Sequence, residues 1–272
     1  MTIPHHARFE HVMASVVFNR HLTGNYWLID LEAPDIARRL TPGQFVNIRI
    51  GGSLVPYLRR PFSVYRVSAD QRRLQVAYKL QGDGTRLMKS TMPQGGVCDV
   101  VGPFGRGFRL PEDAKRIAVV GRGIGIAALP TLVDQAAARG IEVHGFLSAR
   151  TRPNLVALDI FAEHGFAAVT HTDEESRGNV TDHLVALAEK LDFDAFYVCG
   201  SNRLARAVDA LARRKEALAE IAMEQHMACG FGDCHGCVVQ VNLDAHGREK
   251  AFREVCHYGP VFDTWEIVNA SA

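Results

Sequence analysis

Cysteine spacing constrains this chain more than any other feature. Cys229, Cys234 and Cys237 lie in one glycine-rich loop with four and two residues between them, and Cys256 follows after eighteen more. That is the plant-type spacing of a [2Fe–2S] cluster, with three ligands from a tight loop and one from a distance. Gly230, Gly232 and Gly236 let the backbone turn closely around inorganic sulfur and aim amide N–H groups at it. A four-cysteine zinc site is the alternative, but zinc ligands usually come as two pairs with about two to four residues between the cysteines of each, whereas here three ligands share one loop and one arrives alone. Neighbouring His226, His235 and His257 are surplus to a complete thiolate set.

The segment carrying the four ligands, residues 223–272, is too small to own an ordinary hydrophobic core and depends on its metal to fold. Clustering of four of the six cysteines there argues against disulfides and for a reducing compartment, so the expected location is the cytoplasm. Apolar runs such as 117–120 and 124–129 fall well short of the roughly 18 residues that span a bilayer, and the N-terminus has no secretory-signal pattern. Lys and Arg total 31 against 30 Asp and Glu, which leaves no basic footprint for nucleic acid or an anionic membrane.

Two larger units precede the cluster segment. Residues 1–111 read as short β runs separated by turns: 12–18, 26–31, 44–50, 62–67, 74–79 and 97–101. This rhythm predicts a small antiparallel barrel. From residue 112 to 222 the rhythm becomes strand, turn, helix. Strands are expected at 116–120, 142–147, 166–170 and 195–199, and helices at 127–138, 154–164, 179–190 and 204–221, with Ser201 or Asn202 capping the last. Such alternation predicts a doubly wound parallel sheet.

Within the barrel, Arg60-Pro61-Phe62-Ser63 opens a strand, where proline is tolerated only at a start or an edge. Ala77-Tyr78-Lys79 ends another strand, and Gly84-Thr85 opens a helix whose free amides suit phosphate. In the α/β unit, Gly121, Gly123 and Gly125 follow a buried strand directly, which lets the backbone approach a dinucleotide. Cys199-Gly200 ends a later strand at the sheet's ligand-binding edge; the plain alternative for Cys199 is a small core residue, and Cys98 reads as core.

Taken together, the Arg60–Ser63 box, the Gly84-Thr85 pair and Gly102-Pro103-Phe104-Gly105 resemble the flavin domain of the ferredoxin-NADP reductase superfamily. The resemblance implies FAD on the barrel, with Arg60 near its pyrophosphate and Ser63 near the reactive ring, and a nicotinamide nucleotide, NAD or NADP, at the glycine turn and Cys199-Gly200. Over nearly the whole chain, and most specifically in Glu224–Cys237 and Val255–Phe262, the sequence resembles the electron-transfer subunits of NAD-dependent dihydroorotate dehydrogenase. Arg122, Ala128 and Ser201 depart from that pattern where Gly, Pro and Pro are common.

That family implies an oxidoreductase subunit acting in a hetero-oligomer. An FMN-containing partner oxidises dihydroorotate, and electrons pass through the cluster and FAD to NAD, serving pyrimidine biosynthesis. No catalytic acid or base is assigned to this chain, and diaphorase activity is expected of it alone. A related reductase subunit feeding a ferredoxin-, hydrogenase- or sulfur-linked partner would use the same parts. A redox sensor without enzymatic activity would need no flavin box.

Overall fold

The computed structural model describes residues 9–52, 55–175 and 178–267. The first part is an antiparallel sheet of β1 (Glu10–Thr23), β2 (Tyr26–Glu32), β3 (Phe45–Ile48), β4 (Arg60–Ser63), β5 (Arg66–Val67), β6 (Arg73–Lys79) and β7 (Val97–Phe104), ordered β4-β3-β7-β1-β2-β6-β5. β4 and β5 are two parts of one run, the first paired with β3 and the second with β6. Between them the amides of Val64 and Tyr65 donate to the carbonyls of Gln44 and Gln75 at 3.2 and 2.7 Å. This one run curls the sheet into the expected barrel. Side-chain alternation puts Val16, Ile29, Leu31, Val46, Ile48 and Val76 inside, while Ile36 of α1 (Pro34–Ala37) and Met88 of α2 (Asp83–Thr91) complete that core.

The second part alternates β8 (Arg116–Arg122), α3 (Pro130–Ala138), β9 (Glu142–Ala149), α4 (Leu158–Glu163), β10 (Ala168–Thr172), α5 (Val180–Ala188), β11 (Ala195–Cys199), α6 (Asn202–Lys215) and β12 (Leu218–Ala222). Ile117 to Val120 are all fully buried, as a parallel strand covered on both faces requires. Strand order is β10-β9-β8-β11-β12, so the sheet winds in opposite directions from β8 and β11 and has its switch point between them.

Several elements depart from the sequence reading. The helix expected to reach residue 221 stops at Lys215, because Glu216 turns left-handed (φ 51°) and residues 218–222 become β12, parallel to β11. Leu-Ala-Glu-Ile-Ala favours a helix locally, but burial beside β11 decides its form. The helix expected from 127 begins at Pro130, preceded by a 3-10 stretch over Gly123–Ala128; proline fits the first helical turn and disfavours helix just before itself. The one expected over 154–164 shortens to α4, since Leu155, Val156 and Ala157 are drawn into the core ahead of it. The expected strand at 166–170 lies two residues later, and Ser201 caps α6 as expected.

The cysteine segment builds the hairpin of β13 (Val238–Asn242) and β14 (Lys250–Glu254), α7 (Val255–Tyr258), β15 (Val261–Asp263) and α8 (Thr264–Ile267). β15 pairs antiparallel with β12, and Val241, Val255 and Phe262 share the core of the parallel sheet. Thus the segment extends the α/β unit and borrows its core. Glu220 on β12, fully buried, accepts from Arg109 N at 2.7 Å and Arg109 Nε at 2.6 Å, and Arg106 lies 3.3 Å away. Arg109 also pairs with Asp263 of β15, so the chain leaving the barrel is tied to the sheet edge. On the other side, Arg66 of β5 pairs with Asp134 of α3 at 2.9 Å and Glu163 of α4 at 2.6 Å.

Candidate functional site

The four cysteines of residues 229–256 come together as two pairs. Cys237 and Cys256 place their sulfurs 3.3 Å apart in the interior, whereas Cys229 and Cys234 are the more exposed pair, linked by Cys234 N–H to Cys229 Sγ at 3.5 Å. Further amides point at sulfur: Gly232 N–H to Cys256 Sγ at 3.1 Å, Gly236 N–H to Cys234 Sγ and Cys256 N–H to Cys237 Sγ, both at 3.4 Å. Burial pushes the Cys229 thiol up, but the amides of Phe231, Cys234 and Asp233 and the Cys234 side chain outweigh it and hold it at about 7. Amide donors around paired sulfurs are what an anionic thiolate cluster needs, so the donor set fits a [2Fe–2S] group.

Glycine is required in this loop by position. Gly230 adopts φ +80°, and a Cβ there would fall 2.2 Å from Nδ2 of Asn47. Asn47, buried on β3, donates that Nδ2–H to the carbonyl of Cys229 at 3.1 Å. The barrel thereby holds the cysteine loop directly.

A groove of about 910 Å³ runs along the open edge of β4 to the start of α2, with Arg60, Pro61, Phe62, Lys79, Gly84 and Thr85 in its walls. Because β4, among the described residues, pairs with β3 alone, Pro61 loses no ladder bond on the groove side. Arg60 lies against the first turn of α2: a Cβ on Gly84 would sit 3.6 Å from Arg60 Nε. Thr85 Oγ1 accepts from Gln81 N at 3.0 Å and shapes that turn. A cation and helix N-terminal amides therefore converge, an arrangement suited to a diphosphate.

A second cavity of about 260 Å³ shares Pro61, Phe62, Lys79 and Thr85 with the groove and adds Ser63 and Ala77. Its far wall comes from elsewhere: Ile124 and Ala127 after β8, and Met223 to Gln225 with Met227 and Pro260 beside the cysteines. All three parts of the fold meet here. Tyr78, between Ala77 and Lys79, also lines the cavity, with its ring edge-on to Phe62 and its hydroxyl donated to Asn19 Oδ1 at 2.8 Å in the barrel core.

At the switch point, Gly121 pairs with Cys199 across β8 and β11. A Cβ on Gly121 would strike Ile126 Cγ1 at 2.7 Å, and one on Gly125 would meet Cys199 Sγ at 3.2 Å and Glu224 Oε1 at 3.1 Å. Gly123 and Gly200 adopt φ +57° and +145°. Burial, assisted by the charge of Glu224, raises the Cys199 thiol, and burial pushes Cys98 up to about 12; both remain protonated. Cys98 sits in the barrel core as expected, whereas Cys199 is buried directly under the glycine turn.

Sequence reasoning assigned no role to Glu224 or Asn47. Burial raises Glu224, which stands where the cavity meets the switch point. Its sequence signal was its place at the head of the family-like stretch that leads to Cys229, which names no role for it. Asn47 gave none, because its partner lies 182 residues away.

The family model for the iron-sulfur cluster binding domain of dihydroorotate dehydrogenase B matches residues 224–268. The dihydroorotate dehydrogenase B (NAD(+)) electron transfer subunit of Bacillus mycoides is 33% identical over 257 residues, covering 93% of this chain and 96% of that protein. That of Desulforamulus reducens is 32% identical over 247 residues, covering 90% and 93%. Among solved structures, the NADH-dependent reduced ferredoxin-NADP oxidoreductase of flavin-based electron bifurcation matches with TM-score 0.78 at 24% identity, over 94% of this chain and 89% of that one. Phthalate dioxygenase reductase matches with TM-score 0.61 at 17% identity, over 92% and 77%. Those two share the fold.

Proposed function

Because the chain belongs to the family of dihydroorotate dehydrogenase B electron transfer subunits, we propose that it carries electrons from a dihydroorotate-oxidising flavoenzyme partner to NAD, as one subunit of a hetero-oligomer. The net reaction is dihydroorotate plus NAD⁺ giving orotate, NADH and a proton. The cytoplasm, where the NAD pool is held, is the proposed compartment. A [2Fe–2S] cluster supplies one-electron exchange, and FAD joins this to the two-electron hydride exchange of nicotinamide.

One observation carries the reading: a single cavity is walled by the Arg60–Ser63 strand, by the turn after β8 and by the stretch leading to Cys229. In this reading Cys229, Cys234, Cys237 and Cys256 hold the cluster, and the amides on their sulfurs favour its negative charge. Arg60 and the first turn of α2, with Gly84 and Thr85, hold the flavin diphosphate. Ser63, Ala77 and Lys79 line the ring end, while Pro61 and Phe62 exclude water from that edge. Gly121, Gly123 and Gly125 admit the nicotinamide nucleotide at the switch point, over Cys199-Gly200.

Anaerobic affinity purification of the tagged protein from its native cells tests the reading, followed by assay of the complex with dihydroorotate and NAD⁺. An FMN-containing subunit should co-purify and NADH should form with orotate. Capture of a different redox protein, or a flavin left oxidised by dihydroorotate, would reject the pathway while leaving the cofactor sites to be judged by their own absorbance.

A further inference from the structure

An ion pair stands at the nucleotide-facing edge of the parallel sheet, outside the electron route. Arg122, last residue of β8, reaches past the end of β9 to Asp173, which follows β10, with Nη2 2.7 Å from Oδ2. Both side chains face solvent, at 30% and 49% exposure, so they exchange partners at little cost. The local chain is built around this pair. Gly200 lacks a side chain where a Cβ would come 3.2 Å from Cβ of Arg122, and Asp173 N–H donates to Ala149 O at 3.2 Å, which holds the acid over the end of β9. The Arg122 guanidinium, aided by the charges of His171 and Arg203, keeps the Asp173 carboxyl below its usual range despite some desolvation.

In open α/β sheets that bind dinucleotides, an acid beyond the glycine turn accepts from the ribose 2′-hydroxyl of NAD, and an arginine nearby accommodates the 2′-phosphate of NADP. Here β9, the neighbour of β8 on the side away from the switch point, ends at Ala149, and Arg150, the next residue, is no acid. Asp173 and Arg122 bring both charges to that place from the two flanking strands. We infer that the Arg122–Asp173 pair sets the chain's choice between NAD and NADP, with Asp173 accepting from the ribose diol and Arg122 offsetting its repulsion of a 2′-phosphate. The inference rests on the proposed nucleotide reading of the glycine turn.

The two charges then act in opposite directions on one ratio. Arg122→Gly leaves Asp173 unopposed, so the ratio of kcat/KM for NADH over NADPH should rise; Asp173→Asn frees Arg122, so it should fall. Each shift should be about two- to fivefold, the scale of a solvent-exposed ion pair. It should lie in KM, with kcat little changed, and shrink as salt is raised. Arg122→Lys keeps the charge and should stay near the parent ratio. Calorimetric titration with AMP and with adenosine 2′,5′-bisphosphate gives a readout independent of turnover and should show the same opposite shifts. Parallel losses for both nucleotides, or an unchanged ratio in both variants, would reject the assignment. A parent protein that neither binds AMP nor oxidises NADH would instead bring down the nucleotide reading, and this inference with it.

Discussion

Gly230→Ala is the sharpest test of how the barrel holds the cysteine loop. Gly230 adopts φ +80°, and an alanine there pays about 1 kcal/mol for left-handed backbone. Its Cβ would sit 2.2 Å from Asn47 Nδ2, so the buried Asn47 side chain must leave, giving up its 3.1 Å bond to Cys229 O. Stranding that carbonyl adds about 2 kcal/mol, for a total near 3 kcal/mol. Because the strain is local, it should appear as easier opening of the loop. We expect a chelator to bleach the visible absorbance of anaerobically purified protein about a hundredfold faster. In an Asn47→Ala background the clash and the bond are both gone, and the same substitution should cost only about 1 kcal/mol, or fivefold. An undiminished hundredfold effect in that background would refute the contact as the cause.

Three further outcomes follow from the same contacts. Cys237→Ser removes half of the interior sulfur pair and should abolish the cluster's absorbance while leaving flavin content and NADH-to-dye activity in place; loss of flavin as well would show that the parts fold as one unit. Arg60→Ala should lower flavin content without bleaching the cluster, and an unchanged flavin content would reject the placement of Arg60. Glu220→Gln leaves Arg106 and Arg109 facing a neutral amide in a buried site and should cost about 3 kcal/mol in chemical denaturation. A loss below about 1 kcal/mol would mean that Asp263 and Glu266 take over both arginines.

Where local signals and tertiary demands agreed, the sequence was readable. The short β runs of β1 to β7 and the all-apolar run 117–120 each carry their own geometry, and the structure follows them. Legibility failed where burial overrode propensity. Residues 218–222 look helical in isolation and become a strand because β11 offers an open edge on one side and β15 closes the other. Tyr78, a candidate flavin contact by its place in a motif, lines the cavity while its hydroxyl bonds Asn19 on the barrel side, a partner that strand alternation sets and the motif does not show. The roles of Asn47 and Glu224 were hidden for a different reason: each matters through a partner distant in sequence, and one chain read locally holds no record of that.

The covalent chain itself fixes how near the cavity lies to the cysteines. Met227 lines the cavity and Cys229 comes two residues later, so their Cα atoms lie no more than about 7 Å apart whatever the conformation between them. On the return path Cys256 and Pro260, another wall residue, are separated by four positions that are folded into α7 and a turn. β15 then leaves directly from Pro260 and pairs with β12, while Asn47 grips the loop from the barrel. A shift of the barrel against the parallel sheet would therefore reshape the cavity walled by both before it lengthened the path from Met227 to the cluster. For a protein that must hand over electrons one at a time, placing that short path within contiguous chain, and the opposite wall of the cavity on the turn after β8, separates what must stay fixed from what must admit and release a nucleotide.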